Sequence, residues 1–314
     1  MTGSRVLALG HYQPARVLTN DELAAMVDTS DEWIRTRVGI RTRRVAEPTE
    51  TVADMAGQAA AKALANSGLA PADIDLVLVA TCTAVDRSPN TAARVAAALG
   101  LPSPAVMDIN VVCAGFTHAL ATADHAIRAG SATNALVVGV EKFTDVADWT
   151  DRTTCVLVGD GAGAAVVTAS ASPEPGIGPV VWGSVPEMGH AVRIEGTPSR
   201  FAQEGQSVYR WATTQLPPIA RTVCERAGVA PEELAAVVLH QANLRIIEPV
   251  ARKLGAVNAI VASDVTESGN TSAASIPLAL SKLVASGRVA PGAPILLFGF
   301  GGNLSYAGQV IRCP

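Results

Sequence analysis

The segment GLAPADIDLVLV at 68–79 recurs as GVAPEELAAVVL at 228–239, 160 residues later, with its glycine, alanine and proline in register. Two more pairs follow in the same order: MDIN at 107–110 with SDVT at 263–266, at an offset of 156, and LVVGVE at 136–141 with LLFGFG at 296–301, at 160. Solenoid repeats are far shorter; a period of half a 314-residue chain means two copies of one unit. Short runs of Val, Leu and Ile alternate with longer Ala-rich stretches of helical period, so each unit is α/β, with strands buried on both faces beneath helices. Two equivalent units pack most simply about a pseudo-two-fold axis, which brings matched loops together where the halves face each other. A ligand site belongs there, at the carboxyl ends of strands.

The alternation predicts strands near 4–9, 75–81, 105–109, 135–141, 155–159, 163–169, 235–240, 260–263 and 294–299. Helices are predicted near 20–27, 51–67, 90–99, 113–129, 207–227, 244–254 and 271–286. A composition 49% hydrophobic and 17% charged supplies the core such layers need and excludes intrinsic disorder; with 4% aromatic residues, that core is aliphatic. The net charge of −4 gives no global basic field, so nucleic acid is not an expected partner. No window approaches the roughly 20 unbroken apolar residues of a membrane span, and the opening MTGSRVLALGHYQP is too short and polar for a signal peptide. Five cysteines without a CxxC pair suggest neither a disulfide framework nor a zinc ribbon, which fits a reducing cytoplasm.

Three residues stand at the loops the repeat singles out. Strand 105–109 leads through Asn110 to Cys113 and then into a helical pattern, so Cys113 sits at or near a helix N-terminus. There the backbone amides and the positive end of the helix dipole are expected to lower the thiol pKa and make Cys113 a nucleophile, although a free cysteine more often serves as a small buried hydrophobe. His240 closes strand 235–239, placed to donate to a substrate oxygen or relay a proton; alone, such a histidine is more often a satisfied core residue. Asn270 follows strand 260–263 as Cys113 follows 105–109, at the repeat position next to that of Cys113. The two-fold argument makes Cys113, His240 and Asn270 converge.

Cys113 in CAGF, His240 in HQANLRII, Asn270 in GNTSAASIP, GDGAGAAVV at 159–167 and GFGGN at 299–303 together resemble β-ketoacyl-acyl carrier protein synthase III of the thiolase superfamily. The likeness runs from DEWIRTRVGIRTRR at 31–44 to the last strand. A single histidine followed by Gln-Ala-Asn differs from the paired histidines of the elongating synthases, and GFGGN lacks the second cysteine of thiolases. The resemblance implies an α/β, five-layered αβαβα sandwich built from an N-terminal half, residues 1–170, and a C-terminal half, residues 171–314, forming a cytoplasmic homodimer. It also implies chemistry. Cys113 attacks the thioester of an acyl-CoA primer; malonyl-acyl carrier protein follows, and His240 and Asn270 donate to its carbonyl as CO₂ leaves. The enolate then attacks acyl-Cys113, whose oxyanion is held by the amides of Cys113 and Gly302. No metal or organic cofactor is implied. Trp33, Arg37 and Arg152 match the family's CoA entrance; Arg245, Arg252 and Lys253 match the helix that meets the carrier protein; Ser88 and Phe300 are assigned to the acyl pocket. Ser88 stands where a bulky aromatic is common, and Asn303 and Leu304 where glycine and an aromatic are common, implying a wider or more polar pocket and a branched, longer or unusual primer.

Two alternatives carry different chemistry: an acyltransferase that moves the acyl group from Cys113 to a hydroxyl or amine without condensation, and a non-catalytic carrier-protein-binding subunit. The remaining motifs read as structure. About half of the five arginines at 35–44 are expected in a solvated loop. Gly159–Gly163 precedes a strand rather than a helix, so it reads as a tight turn between strands, not a dinucleotide site. His118 and His125 have no third ligand, so no metal site is expected.

Overall fold

A computed structural model describes residues 3–172 and 176–314. The first half comprises β1 (Gly3–Tyr12), β2 (Arg16–Thr19), α1 (Asn20–Ala24), α2 (Asp31–Arg37), β3 (Thr42–Val45), α3 (Val52–Ser67), β4 (Leu76–Ala80), α4 (Thr91–Ala98), β5 (Ala105–Ile109), α5 (Gly115–Arg128), β6 (Asn134–Lys142) and β7 (Asp160–Ser170). The second comprises β8 (Val181–Gly183), β9 (Val192–Glu195), β10 (Arg200–Gln203), α6 (Gly205–Arg226), β11 (Ala236–Leu239), α7 (Leu244–Leu254), β12 (Ile260–Val261), α8 (Val265–Ser268), α9 (Ser275–Ala285), β13 (Pro294–Phe300) and β14 (Tyr306–Arg312).

Each half contributes a five-stranded mixed sheet, ordered β1-β7-β6-β4-β5 and β8-β14-β13-β11-β12. The match extends to register. Leu76 of β4 pairs with Ala135 of β6, and 160 residues on, Ala236 of β11 pairs with Ile295 of β13. Helices α3 and α4 cover the outer face of the first sheet, α6 and α7 that of the second, and α5 and α9 lie between the sheets. This is the five-layered αβαβα sandwich expected of a thiolase-type fold.

The layers follow from side-chain size. A capping box between Thr51 and Asp54 starts α3, and Gly68, at φ 71°, ends it. The middle of its buried face is alanine (Ala56, Ala59, Ala60 and Ala63), flanked by Val52, Met55 and Leu64, which seats the helix close to the sheet; a Cβ on Gly10 of β1 would lie 2.4 Å from the Ala59 carbonyl. In the central layer, Phe116, Leu120 and Ile127 of α5 and Ile276 and Leu280 of α9 pack between Leu78 and Val137 of one sheet and Val238 and Leu297 of the other. Each such buried side chain contributes about 1.5–3 kcal/mol of hydrophobic stabilisation, which ties the halves into one body. Among the described residues, no helix is long and apolar enough to cross a membrane.

Two expectations are corrected. Residues 155–159 form turns rather than a strand, with one bridge from Val158 to Asn270. The glycine run is not a tight turn, because β7 already begins at Asp160; its glycines serve close approach, since a Cβ on Gly159 would lie 2.3 Å from the Ser268 carbonyl and one on Gly163 2.5 Å from the Leu278 nitrogen. The five arginines at 35–44 divide as expected: Arg35, Arg37 and Arg41 are exposed, whereas Arg43 is fully buried, held by Asn20 Oδ1 at 2.7 Å and the Val156 carbonyl at 2.7 Å.

Candidate active site

After β5 the chain passes Asn110 into a single 3₁₀ turn, Val112–Ala114, and enters α5 at Gly115. The second half repeats this through Asn270, the turn Ser272–Ala274 and α9 at Ser275. Val112 and Ser272 share φ 46°, a left-handed conformation costly for a side chain. Both asparagines accept, on Oδ1, the N–H two residues on: Val112 at 3.4 Å and Ser272 at 2.9 Å. Asn270 is therefore the counterpart of Asn110, and Ala273 that of Cys113. Asn270 thus lies three residues before the counterpart of Cys113 rather than beside it. Strand pairing sets β12 at an offset of 155 from β5, one less than MDIN and SDVT suggest, and the stretch containing α8, which has no helical counterpart in the first half, restores 160.

Cys113 and His240 both lie against the end of β13, and Asn270 opens the turn whose Ser272 hydroxyl faces the Cys113 sulfur. The end of β13 is the hub: a Cβ on Gly301 would come 3.0 Å from Cys113 Sγ, and the Phe298 carbonyl accepts the His240 N–H at 2.9 Å. His240 stands edge-on to Phe300, ring centroids 5.5 Å apart. Asn270 is held by its own backbone to Leu157 and Gly159, at 2.7 and 3.0 Å, so the glycine run fixes its position. Because Oδ1 is used by Ser272, Nδ2 is the end of the amide left to donate.

The Ser272 hydroxyl and the backbone N–H groups of Gly302 and of Cys113 itself favour negative charge on the Cys113 sulfur. Even so, burial pushes the thiol up to about 11, and the Glu141 carboxyl adds to the rise. This reverses the expected direction. A helix terminus contributes at most about 2 kcal/mol, and removing a thiolate from water costs more than that end returns here. His240, 2% exposed, is pushed down to about 3 by burial and is neutral at physiological pH.

Sequence reasoning missed Glu141, fully buried at the repeat position of Gly301. Its carboxyl accepts from Thr83 Oγ1 at 2.7 Å, Thr81 Oγ1 and Ser272 Oγ at 3.1 Å, the Cys82 N–H at 3.1 Å, Cys82 Sγ at 3.2 Å and the Ala273 N–H at 3.4 Å. Burial raises its pKa, against the pull of these donors. It thus fills, in the second half, the place that Gly301 leaves open above Cys113, and it fixes the Ser272 turn. The pairing of LVVGVE with LLFGFG was the signal: it sets Glu141 opposite Gly301.

The outer residues separate into those brought together and those not. The Arg152 guanidinium lies 5.2 Å from the centre of the Trp33 ring and is tied to the Asp28 carbonyl at 2.6 Å; Arg37 is exposed at the end of α2. Arg245 and Arg252 are exposed on α7, whereas Lys253 donates to the Thr213 carbonyl at 2.7 Å. A cavity of about 710 Å³ opens beside Asn110 and Val112, lined also by Cys82, Val85, Arg87 and Asn303. Ser88 lies in the same exposed loop as Val85 and Arg87, and Phe300 packs on His240. Among the described residues, no group of His, Cys, Asp or Glu is arranged to hold a metal.

Comparison with known proteins agrees with this geometry. Residues 107–186 match the family model of 3-oxoacyl-[acyl-carrier-protein] synthase III, and residues 224–313 that of its C-terminal part. The chain is 78% identical to β-ketoacyl-[acyl-carrier-protein] synthase III 2 of Streptomyces avermitilis across the whole of both, and 77% identical to synthase III 4 of Streptomyces coelicolor across 99% of each. Among solved structures, the priming β-ketosynthase of the R1128 polyketide pathway superposes with a TM-score of 0.96 at 42% identity, over 99% of this chain and 96% of that one. Synthase III of Aquifex aeolicus gives 0.94 at 41%, over 99% and 100%. Likeness this complete makes the chain a member of the β-ketoacyl-acyl carrier protein synthase III family, thiolase-fold transferases that catalyse the decarboxylating condensation initiating fatty-acid or polyketide synthesis.

Proposed function

We propose that Cys113 accepts the acyl group of an acyl-CoA primer and passes it to malonyl-acyl carrier protein, with His240 and Asn270 holding the enolate. In the first stage the Cys113 sulfur attacks the thioester carbonyl, whose oxygen takes over the N–H groups of Cys113 and Gly302. The thiol proton ends on the departing CoA sulfur, so the resting site needs no thiolate. In the second stage the C–C bond to CO₂ breaks, and the electron pair moves onto an enolate oxygen facing the His240 ring and the Asn270 amide. Both donors are neutral, so they stabilise the charge without quenching it by protonation. The enolate carbon then attacks acyl-Cys113, and the cysteine leaves as thiolate and regains a proton. The observation carrying this reading is a buried Cys113 set against Gly301, with the backbone N–H groups of Gly302 and Cys113 favouring negative charge on it, and a histidine kept neutral by burial at the same end of β13.

The reading extends to partners. Trp33 and Arg152 form the CoA entrance, with Arg37 beside it, and Arg245 and Arg252 of α7 present positive charge to the acidic carrier protein. Lys253 contributes less, being engaged by Thr213. Support for a homodimer comes from β5, a sheet edge that among the described residues pairs only with β4 and leaves Met107 45% exposed. The polar cavity beside Val112 favours a primer larger than acetyl, and five unpaired cysteines suit a reducing cytoplasm. No metal or organic cofactor takes part. Incubation with a panel of acyl-CoAs and malonyl-acyl carrier protein, read by mass spectrometry, should give acyl-Cys113 and a product two carbons longer with CO₂ released. Acyl transfer without CO₂ would replace condensation by transfer to a hydroxyl or amine, and absence of any acyl-Cys113 would indicate a non-catalytic subunit. A strong preference for acetyl-CoA would refute the enlarged pocket.

A further inference from the structure

Ser275 opens α9 and is the repeat counterpart of Gly115, which opens α5; His240 is the counterpart of Ala80. In the first half the two positions meet as small residues, since a Cβ on Gly115 would lie 3.0 Å from the Ala80 Cβ. In the second half the same meeting places Ser275 Oγ 2.7 Å from His240 Nδ1. A packing contact in one copy of the unit is a polar contact in the other.

The protons follow by elimination. Ser275 is 1% exposed, so bulk water does not reach its hydroxyl. Its oxygen accepts from the Gln241 N–H at 3.3 Å and lies against Nδ1. The hydroxyl proton then has one acceptor, Nδ1, because leaving a buried O–H unpaired costs about 1–3 kcal/mol. A neutral imidazole that accepts at Nδ1 carries its own proton on Nε2. Turning the ring over would set a carbon against Ser275, and Phe300 packs edge-on to the ring in its present plane.

We propose that Ser275 is the positioning residue that fixes His240 as its Nε2–H tautomer, so that the nitrogen turned from α9 is a hydrogen-bond donor and not the base for Cys113. This rests on the reading of His240 as a donor to the malonyl thioester carbonyl. With the Nδ1–H tautomer, Nε2 would present a lone pair to the enolate oxygen and repel it. Ser275 therefore acts on decarboxylation, and leaves the first acylation untouched.

The test is a long-range ¹H–¹⁵N spectrum of the full-length protein labelled at histidine nitrogens, at pH 7, beside the two half-reactions. Wild type should show His240 as a single Nε2–H tautomer. Ser275→Ala should show mixed tautomers, at least about tenfold slower malonyl-thioester decarboxylation, and Cys113 acylation within about twofold of wild type, tenfold corresponding to about 1.4 kcal/mol. Ser275→Thr, which keeps the hydroxyl, should restore the single tautomer. An Nδ1–H signature in wild type overturns the proposal whether or not any variant folds, as does a Ser275→Ala protein with unchanged tautomer and decarboxylation. A wild-type Nε2–H signature in a protein that performs no condensation would support the tautomer assignment and overturn the functional reading beneath it.

Discussion

His240 links catalysis to acid stability, and the size of the link can be worked out. Burial lowers its pKa from 6.5 to about 3. The unfolded chain takes up that proton below pH 6.5, while the folded chain refuses it until about pH 3. Across this window the unfolded state binds more protons, so the native state loses stability as the pH falls. Between pH 7 and pH 5 the loss from this one ring is about 2 kcal/mol, with about 1.4 kcal/mol more for each further unit down to pH 3. Asp160, raised to about 6 by burial, works in the opposite sense, since its folded form binds the proton first. A raw pH profile mixes the two, so the measurement is a comparison with His240→Asn, which removes only the first. Denaturant unfolding of both proteins at pH 7, 6 and 5, at one protein concentration, should show wild type losing about 2 kcal/mol relative to the variant by pH 5. Parallel profiles would refute a ring held neutral by burial, and with it the picture of His240 as a neutral donor.

Alkylation of Cys113 by iodoacetamide should accelerate about tenfold per pH unit between pH 7 and 9, because the thiol pKa lies near 11; a rate already flat below pH 8 would mean a resting thiolate. Cys113→Ala should abolish acylation, whereas Asn270→Ala should spare it and slow malonyl decarboxylation by about 100- to 1000-fold; equal loss of both half-reactions, measured separately, contradicts the assigned roles. Gly301→Ala places a Cβ 2.7 Å from that of Cys113 and should block acylation of a protein that still folds, an outcome read by acyl-enzyme mass. Glu141→Gln exchanges a pure acceptor for an amide among six donated hydrogen bonds and should cost about 1–3 kcal/mol in unfolding free energy, undiminished at high salt.

The repeat made the architecture legible because strand register and helix seating are set by apolar pattern, and both halves carry the same pattern. The predicted helix at 244–254 and strand at 105–109 coincide with α7 and β5. What pattern could not reveal was distance. Glycines at 159–163 looked like a turn because sequence does not disclose that Ser268 and Leu278 press against them. Helix α2 was lost among arginines because only Ile34 of its seven residues is buried, leaving little apolar period to detect. Strand β14 was not predicted, although YAGQVIR pairs with β13 along its length. At the site, Cys113, His240 and Asn270 were singled out by their loops together with the family resemblance. The Cys113 pKa was not, since the dipole is visible in sequence and desolvation is not.

Glu141 has a further consequence for how this chain can change. The two halves offer two matching turns, yet Ala273, the counterpart of the nucleophile, faces a buried carboxyl where Cys113 faces glycine. A cysteine introduced at Ala273 would meet the Glu141 carboxyl where an oxyanion must form, so the spare turn cannot be recruited by one substitution. Glu141 in turn braces the Ser272 turn that touches Cys113, and removing it to free the second turn would loosen the first. Duplication supplied two sites' worth of scaffold, and the scaffold now permits one.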